Sequence, residues 1–439
     1  MLLQHSFRVG RWPLTLALAT FAACADEPAA PTIPSVSRPN AGLGDVITVT
    51  TNSGGKDVGS LRWAVAQTTG GEIIRFAPAL AGATIVVDST IPMLYPITVE
   101  GPADKGVTIS GGNARHIFAI PDSLPSATTF RNLALVNGKG SGSAGGGGIL
   151  SSSDVVLENV TLSNHNGDYY AAIFVAGNAT FTNTTISSNT SIDLAAVFVE
   201  KKLTLVNSTI AYNNEGGVDV RGPLAMRNSI ITHNGAGANC QNVVTFERTG
   251  RNLADDSSCG DSTVMMIAAA KLDSLRYNGG PAKTHALNGA SPAINAGQDC
   301  TVTVDERYVP RDATCDLGAY EFKDFTTVTV TNNASLPVDP TTGWVFVAGS
   351  VKCSTDETFD LAVEITQEPK AGRGSQAAKA SGKVTVACST SSQPWGISLA
   401  PSSGEFAIGN AVATTKTEAA PWIISATATT PVKLFRGRK

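Results

Sequence analysis

The sequence predicts an all-β protein in which a parallel β-helix is followed by a small antiparallel β-sandwich. The main observation is a phrase of the pattern apolar–x–Asn–x–x–Leu/Ile, whose leading Asn recurs at steps of 27, 24, 24 and 21 residues. These steps match one coil of a single-chain solenoid, and the repeated residues are strand formers. The five copies are residues 130–135, 157–162, 181–186, 205–210 and 226–231.

A second phrase keeps the same phase as the first. It occupies residues 172–175, 196–199 and 217–220, again at steps of 24 and 21 residues. Coils of a parallel β-helix lie about 4.8 Å apart, so equivalent positions stack in columns. An Asn column at a bend can bond the coils above and below and tolerates left-handed backbone. The alternative, an antiparallel β-sandwich, predicts Asn-Gly hairpin turns at shorter, irregular spacing.

The segment before the repeats is predicted to begin with a short helix. Ser60 is its N-cap, directly before Leu61, Arg62 and Trp63. Strand-like segments follow at residues 73–76, 84–87, 97–102 and 107–112.

Motifs at the far end of the repeats carry a family resemblance. They are residues 252–255, 275–281, 291–297 and 315–321, in that order. Together with the N-terminal motifs they resemble bacterial exported surface proteins of the choice-of-anchor Q type, over roughly residues 45–322. The resemblance implies a right-handed β-helix, a helix that plugs its open end, and a surface location, but no catalytic residue. Trp63 stands where that family commonly has the Glu that completes a capping box, so we expect the plug to depend on apolar contacts.

Three residues in these last motifs have two interpretations. His285, Asp316 and Glu321 could form a metal or acid–base site. Alternatively, they bond backbone amides in an irregular final coil, where many donors need partners. Arg307 and Arg311 are candidate ion-pair partners for the two carboxylates.

Residues 1–24 have the pattern of a bacterial lipoprotein signal peptide. Arg8 and Arg11 precede a short apolar stretch, and Cys24 is the predicted site of lipidation. Residues 25–44, rich in Ala, Pro and Ser, predict a flexible tether. These features predict an exported protein with a lipid anchor at the bacterial outer membrane or cell surface. The alternative is ordinary signal-peptidase cleavage near Ala25 and a secreted protein.

The cysteines support export as well. Of the seven cysteines, all except Cys24 fall into close sequence pairs. Disulfides persist in oxidising compartments outside the cytosol. The predicted disulfides are Cys240–Cys259, Cys300–Cys315 and Cys353–Cys388.

Residues 325–439 predict the second domain, an immunoglobulin-like sandwich, after a β-helix domain that spans residues 45–322. In residues 359–365 apolar and mostly polar positions alternate, as in a half-buried antiparallel strand. Cys353 and Cys388 lie on core-facing positions of two such runs, so a disulfide across the sandwich is expected. Seven runs are predicted, beginning near Thr326, Trp344, Phe359, Gly382, Trp395, Glu405 and Trp422.

Composition and charge restrict the classes of partner. The net charge of −4 argues against nucleic acid. No later apolar window is long enough to span a bilayer, so membrane contact is expected through the lipid anchor only. Charged residues make up 15% of the chain and His only 5 residues, which does not favour an enzyme rich in titratable groups. No cofactor or metal is predicted, and the oligomeric state stays open.

An enzymatic alternative is a polysaccharide lyase or glycoside hydrolase acting in a groove along the coils. Such chemistry needs Ca²⁺ held by carboxylates with a basic residue, or two to three carboxylates on adjacent coils. The coil-aligned candidates are Asp168, Asp193 and Glu215, but their offsets from the second phrase drift by one residue per coil. Asp219 and Arg221, two apart, lie on one face of a strand and form a further candidate pair.

Outward aromatic residues favour a binding role. If Ile173 and Val175 point inward, Phe174 points outward, and Phe198 does so one coil later. Stacked apolar rings suit the flat faces of sugars. The nearby loops contribute Tyr169, Tyr170 and Tyr212. We therefore expect a non-catalytic protein that binds a polysaccharide or cell-surface glycan, or mediates adhesion. A structural surface spacer is the third reading.

The anchor prediction is tested by the substitution Cys24→Ser. Because a lipidated Cys24 is the expected membrane attachment, the variant should appear in the soluble fraction, whereas the wild-type protein takes up radiolabelled fatty acid and sediments with membranes. An unlabelled wild-type protein that is equally membrane-bound with Ser at position 24 would contradict the anchor.

Overall fold

The computed structural model describes residues 44–121, 124–142, 145–260, 266–323, 326–369, 376–418 and 423–437. Cys24, the predicted signal peptide and the tether up to residue 43 lie outside the described residues, as does Trp422. In the described part, no helix is long and apolar enough to cross a membrane.

The first domain is a right-handed parallel β-helix of about nine turns, as the sequence predicts. It contains helix α1 (Leu61–Ala66) and a 3₁₀ turn (Pro78–Leu80). Its strands are β1 (Val46–Val49), β2 (Ile73–Phe76), β3 (Thr84–Val86), β4 (Ile91–Pro92), β5 (Thr98–Glu100), β6 (Val107–Ser110), β7 (Phe118–Ile120), β8 (Thr128–Val136), β9 (Ile149–Ser151), β10 (Val155–Ser163), β11 (Asn166–Gly167), β12 (Ile173–Val175), β13 (Ala179–Thr182), β14 (Thr185–Ser187), β15 (Thr190–Ser191), β16 (Val197–Val199), β17 (Leu203–Val206), β18 (Thr209–Ala211), β19 (Val218–Val220), β20 (Pro223–Arg227), β21 (Ile230–Thr232), β22 (Cys240–Gln241), β23 (Thr245–Thr249), β24 (Leu253–Ala254) and β25 (Met266–Ile267).

Each central coil places its strands on separate stacks. In one coil β13 and β14 belong to the large sheet, β15 pairs with β11, and β16 belongs to a second stack that runs from β4 to β22. All these pairs are parallel, and the two repeated phrases stack residue on residue. One interior column is formed by Phe130, Leu157, Phe181, Leu205 and Met226, each at most 1% exposed.

The leading Asn of each phrase makes a bend, which falls inside β8 and β10 in the first two copies and between two strands of a coil in the other three. Asn132, Asn159, Asn183, Asn207 and Asn228 have φ between 45° and 55°, the left-handed conformation that Asn tolerates better than most residues. Their side chains form a ladder over only the first three coils. Asn159 Nδ2 donates to Asn132 Oδ1 at 3.3 Å, and Asn183 Nδ2 donates to Asn159 Oδ1 at 3.2 Å. The last two Asn side chains bond a later segment of the chain instead.

A second, buried ladder follows the next bend. Asn189 Nδ2 donates to Asn213 Oδ1 at 2.9 Å, and Asn213 Nδ2 donates to Asn234 Oδ1 at 2.8 Å. Each of these amides also donates to a backbone carbonyl of the preceding coil, for example Asn213 to Ile186 O at 3.2 Å. These bonds satisfy backbone groups that the bend leaves without strand partners.

His165 occupies the first position of this buried ladder. Its backbone N–H donates to Asn189 Oδ1 at 3.0 Å. Its Nδ1 accepts from Gly138 N at 2.9 Å, so its Nε2 carries the proton and donates to Leu135 O at 2.9 Å. The ring is neutral in this arrangement, because a proton on Nδ1 would face a donor. Complete burial lowers the pKa of His165 to about 4.

Helix α1 closes the N-terminal end as expected. Ser60 Oγ accepts the hydrogen bond from Trp63 N at 3.1 Å, as its predicted N-cap role requires. Leu61, Ala64 and Val65 are buried in the same apolar core as the coils, so apolar contacts hold the plug.

Residues 268–322, which we call the strap, lie along the bends of the coils. Tyr308 OH donates to Asn132 Oδ1 at 2.8 Å, and the strap carbonyls of Val304 and Gln298 accept from Asn183 and Asn228 at 2.9 and 2.8 Å. The strap also has a small apolar core, in which Leu287, Ala293 and Leu317 pack with Ile230 and Leu253 of the coils. The Asn bends therefore anchor a long-range segment as well as each other.

The second domain is an antiparallel sheet domain with its own core. Seven strands were predicted and nine are described. The prediction missed β27, gave a single run near Trp422 where β33 and β34 follow, and placed a strand near Glu405, whereas the observed strand begins at Gly409. The strands are β26 (Thr326–Asn332), β27 (Ser335–Val338), β28 (Val345–Cys353), β29 (Glu357–Gln367), β30 (Ala378–Cys388), β31 (Gln393–Leu399), β32 (Gly409–Thr417), β33 (Ile423–Ile424) and β34 (Thr427–Arg436). The three predicted disulfides are all present, Cys240–Cys259, Cys300–Cys315 and Cys353–Cys388.

The neutral buried His165 predicts a pH-dependent stability. The unfolded chain protonates His165 near its ordinary pKa of 6.5, whereas the folded chain does so only near 4. Between these values the unfolded state binds more protons, so the free energy of unfolding should fall by roughly 3 kcal/mol as the pH drops from 6.5 to 4. The variant His165→Asn carries the residue found at this position in the next coils and should lack this contribution.

Denaturant unfolding of wild type and His165→Asn across this pH range checks the prediction. Subtracting the free energy of unfolding of His165→Asn from that of wild type at each pH cancels the contributions of the other titratable groups. A difference that stays constant from pH 6.5 to 4 would mean that His165 is not buried in its neutral form.

Candidate functional site

The predicted aromatic residues lie on the second stack of the β-helix. Register places Phe174 of β12 next to Phe198 of β16, and Phe198 next to Asp219 of β19. The neighbours of Phe174 along the strand, Ile173 and Val175, are in the core, so both rings point out of the coil as predicted. The two rings are stacked, with centroids 4.6 Å apart and an interplanar angle of 18°.

The expected exposure of these rings is only partly correct. Phe198 and Tyr170 are each 5% exposed, because the Tyr170 ring lies 4.6 Å from the Phe198 ring and covers it. Phe174 is half-buried and Tyr169 is 40% exposed. A ligand can therefore reach Phe174, whose ring contacts those of Tyr170 and Phe198, and it can reach Tyr169, the exposed neighbour of Tyr170 in the sequence.

Tyr212 does not belong to this cluster. Its ring contacts His233 and His285, each with centroids 5.1 Å away, and its hydroxyl donates to Leu272 O of the strap. Its φ of 57° also places it at a left-handed bend. The prediction that grouped it with the other aromatic residues is wrong, because it faces the strap.

Asp219 lies in the same column as the rings and is completely buried. Its carboxylate accepts from Tyr170 OH at 3.1 Å and from Asn242 Nδ2 at 3.0 Å, and it pairs with Arg221 Nε at 3.3 Å. Asp219 and Arg221 thus share one face, as predicted. Burial, followed by the nearby charge of Asp219, raises the pKa of Tyr170 to about 12.

Arg221 connects this buried acid to the surface. Its side chain is 48% exposed, and its hydrogen bond with Tyr170 and the charge of Asp219 raise its pKa. A buried carboxylate that orients a partly exposed guanidinium leaves donors available for a ligand. The aromatic cluster, defined as Tyr169, Tyr170, Phe174, Phe198, Asp219 and Arg221, therefore combines an apolar surface with a fixed cation.

A glycine turn that the sequence analysis did not single out holds Tyr170 in place. Gly146 N donates to Tyr170 O at 2.7 Å. Gly145 has φ of 62°, and a Cβ there would lie 2.3 Å from Tyr170 O, so no larger residue fits. The signal was available as the run of four glycines at positions 145–148.

The coil-aligned carboxylates are not brought together. Asp168 accepts from Gly142 N at 3.0 Å, Glu215 accepts from Asn214 Nδ2 at 3.3 Å, and Asp193 is exposed. Among the residues with assigned positions, no hydrogen bond or ion pair links any two of them. The described ranges also hold no group of three or more His, Cys, Asp or Glu side chains that could bind a metal ion.

The strap contains the strongest concentration of buried charge. Arg307 pairs with Asp305 at 2.6 Å and Arg311 with Glu321 at 3.0 Å, with side chains at most 4% exposed. Glu306, also buried, accepts from Thr185 Oγ1 at 2.5 Å and from Thr161 Oγ1 at 2.8 Å, which lie on adjacent coils. Burial raises the pKa of Glu306 well above its ordinary value.

The remaining strap candidates also bond backbone groups. Asp316 accepts from Asn295 N at 2.7 Å, and Glu321 accepts from Asp312 N at 2.9 Å. His285 bonds Asp273 O at 2.6 Å and Ser187 Oγ at 2.8 Å. Burial, and then the charge of Glu321, raises the pKa of Asp316 to about 7. The interpretation of these residues as partners of the final segment is supported, since their oxygen and nitrogen atoms are occupied by protein groups.

Comparison with known proteins adds no assignment. No protein-family model matches the chain, and no curated protein matches it. The functional argument therefore depends on the geometry of the aromatic cluster.

Asp219 and Asp193 give a matched test of this geometry. Asp219→Asn should lower the free energy of unfolding by about 1–3 kcal/mol, because the amide cannot accept from Tyr170, Arg221 and Asn242 together. Asp193→Asn, on an exposed side chain, should change it by less than about 0.5 kcal/mol. Equal effects in denaturant unfolding would show that Asp219 is not the buried centre of the cluster.

Proposed function

We propose that this chain is an exported, surface-anchored, non-catalytic protein that binds a glycan or mediates adhesion through the aromatic cluster on its β-helix. The observation that carries the proposal is the stack of Phe174 on Phe198 beside the partly exposed Arg221. An accessible aromatic face packs against the apolar face of a sugar ring, and an oriented guanidinium donates to its hydroxyl or carboxylate oxygens.

Contacts within the protein hold the aromatic side chains of the proposed site in position without a ligand. Tyr170 is fixed by Asp219 and by the glycine turn, and Phe198 is fixed by Tyr170. A ligand that reaches Phe174 meets a ring whose supporting side chains, Phe198 and Tyr170, are already held in place. Preorganised side chains lose little conformational entropy on binding.

The proposed location depends on the cysteines. Three disulfides are compatible with an extracellular protein. We further propose that lipidation of Cys24 attaches the protein to the bacterial outer membrane or cell surface, in line with the signal-like pattern of residues 1–24.

Polysaccharide lyase or hydrolase activity is the alternative function. It has weaker support, because Asp219 is buried beneath the rings and its oxygens already accept hydrogen bonds from Tyr170 and Asn242. Asp168, Asp193 and Glu215 lie in separate hydrogen-bonding surroundings. A structural spacer has no specific observation in its favour.

The double variant Phe174→Ala with Tyr169→Ala tests the binding proposal. Wild-type protein is passed over a glycan array and over gels that contain neutral or acidic polysaccharides. The double variant should lose at least tenfold in affinity for the retained glycan. Tyr95→Ala, which removes an aromatic residue 43% exposed elsewhere on the β-helix, is the matched control and should bind like wild type.

Two results would contradict the proposal. One is unchanged retention of the double variant on the glycan that retains wild type. The other is shortening of a polysaccharide by wild-type protein that Asp193→Asn or Asp219→Asn abolishes, which would assign the site to catalysis. Thermal melts of each variant separate lost binding from lost folding.

A further inference from the structure

The second domain carries apolar residues on the outer side of its sheet. Along β32, β34 and β28 the buried residues alternate with exposed ones, so Val412, Phe435 and Phe346 point away from the core. They are 43%, 45% and 44% exposed. An antiparallel sheet with one face on a core normally presents polar residues on the other. These residues therefore mark a surface with a role other than folding.

Strand pairing places these residues in two rows. Phe435 pairs with Pro337 across β34 and β27, and the pairing of Val338 with Val345 places Pro337 beside Phe346 of β28. This row of Phe435, Pro337 and Phe346, which we call the apolar line, crosses three strands and extends over roughly 10 Å, because strands lie about 4.8 Å apart. Val412 pairs with Pro431 in a second row further back along β34, and the exposed Lys433 lies between the two rows.

The Phe346 ring lies along the sheet. Phe346 pairs with Ser398 of β31, and its ring extends to Gly396 on the same strand, where an added Cβ would lie 2.5 Å from Phe346 Cζ. The missing side chain at Gly396 thus makes room for the outer half of the ring. A ring that lies on the sheet presents a flat face to solvent.

Polar groups lie to one side of the apolar line. Val412 and Pro431 line an open cavity of about 510 Å³ there. The same cavity is lined by Thr366, Glu368, Asn410 and Lys433, which supply hydroxyl, carboxylate, amide and ammonium groups. Another part of the outer side has a different character, since Glu364, Lys383, Lys416 and Glu418 line a second open cavity there.

The exposed area argues against a protein partner. A half-exposed Phe ring offers roughly 100 Å² for contact, and the two rings with two prolines and a valine remain well below the about 800 Å² that each partner contributes to a stable protein interface. A narrow line of flat groups with hydrogen-bonding groups beside it fits an extended sugar chain better. Glu368 and Lys433 in the cavity lining carry opposite charges, so they give no excess of positive charge that would favour an acidic chain over a neutral one.

We propose that the apolar line binds an extended neutral polysaccharide, as a second glycan site that is independent of the aromatic cluster on the β-helix. The rings of Phe346 and Phe435 contact the apolar faces of sugar units, and the polar groups that line the cavity at Val412 and Pro431 bond hydroxyl groups at one side of the same chain.

Pull-down on microcrystalline cellulose and chitin, together with gel retardation in soluble mixed-linkage β-glucan and in polygalacturonate, tests this site with the full-length protein. We expect retention by at least one neutral polymer. The double variant Phe346→Ala with Phe435→Ala should weaken that retention at least tenfold. Gly396→Ala should also weaken it, because the new methyl group displaces the Phe346 ring while both rings remain present.

Two controls keep this site separate from the proposed β-helix site. Lys383→Ala alters the charged part of the same outer side and should bind like wild type. Phe174→Ala with Tyr169→Ala should keep the part of the retention that depends on Phe346 and Phe435. Melting midpoints should change little in the Phe346 and Phe435 variant, since both rings are exposed.

Three outcomes would overturn the second site. The first is that wild type binds none of the neutral polymers. The second is that the double variant at Phe346 and Phe435 binds as wild type does. The third is that sedimentation shows a wild-type dimer that the same double variant converts to monomer, which would identify the apolar line as a contact between two copies of this chain.

Discussion

The fold depends on hydrogen bonding at two bends of each central coil, one between its two strands in the large sheet and one after the second of these strands. A bend takes backbone amides out of the strand ladder, and a buried amide without a partner is costly. The chain resolves this with left-handed residues such as Asn183 at the first bend and with the buried side-chain ladder through Asn189 and Asn213 at the second. Because these contacts fix the position of each coil on the next, they also align the outward-pointing side chains of successive coils in columns. The stacking of Phe174 on Phe198 is one consequence.

The strap covers one part of the outer surface of the β-helix and leaves the surface that carries the aromatic cluster uncovered. It occupies the columns beside the first bend, where Glu306 bonds Thr161 and Thr185 and where Arg311 Nη2 donates to Asn183 at 3.1 Å. Buried ion pairs contribute little net stability when their desolvation is included, but a misplaced strap would leave charges such as Glu321 buried and unpaired. These charges therefore specify one position of the strap. The aromatic cluster lies on the other stack, where Phe174 and Tyr169 keep access to solvent.

The repeated sequence pattern made the coils predictable. The strap contacts and the covering of Phe198 have no such pattern and could not be predicted. Phe130, Leu157 and Phe181 repeat because stacking demands it, so their column could be read from the sequence, as could the left-handed Asn bends. The contact of Tyr308 with Asn132 spans 176 residues and has no periodic signal. The burial of Phe198 was missed for a related reason. It is set by the loop that carries Tyr170, and that loop depends on the turn at Gly145 rather than on the coil repeat. In the second domain, alternation located most strands, but β27 is too short and proline-containing to stand out.

The two proposed glycan-binding surfaces together would bind a polysaccharide more tightly than either surface alone. Each offers a small contact area, with two accessible rings on the β-helix and two on the sheet domain, so each alone is expected to bind weakly. A polysaccharide repeats the same unit many times, and a chain held at one surface is present at high effective concentration for the other. The proposed attachment of many copies to one cell surface would multiply this effect further. Weak, repeated contacts of this kind are sufficient for adhesion, and they do not require the groups of carboxylates that catalysis on a β-helix would need.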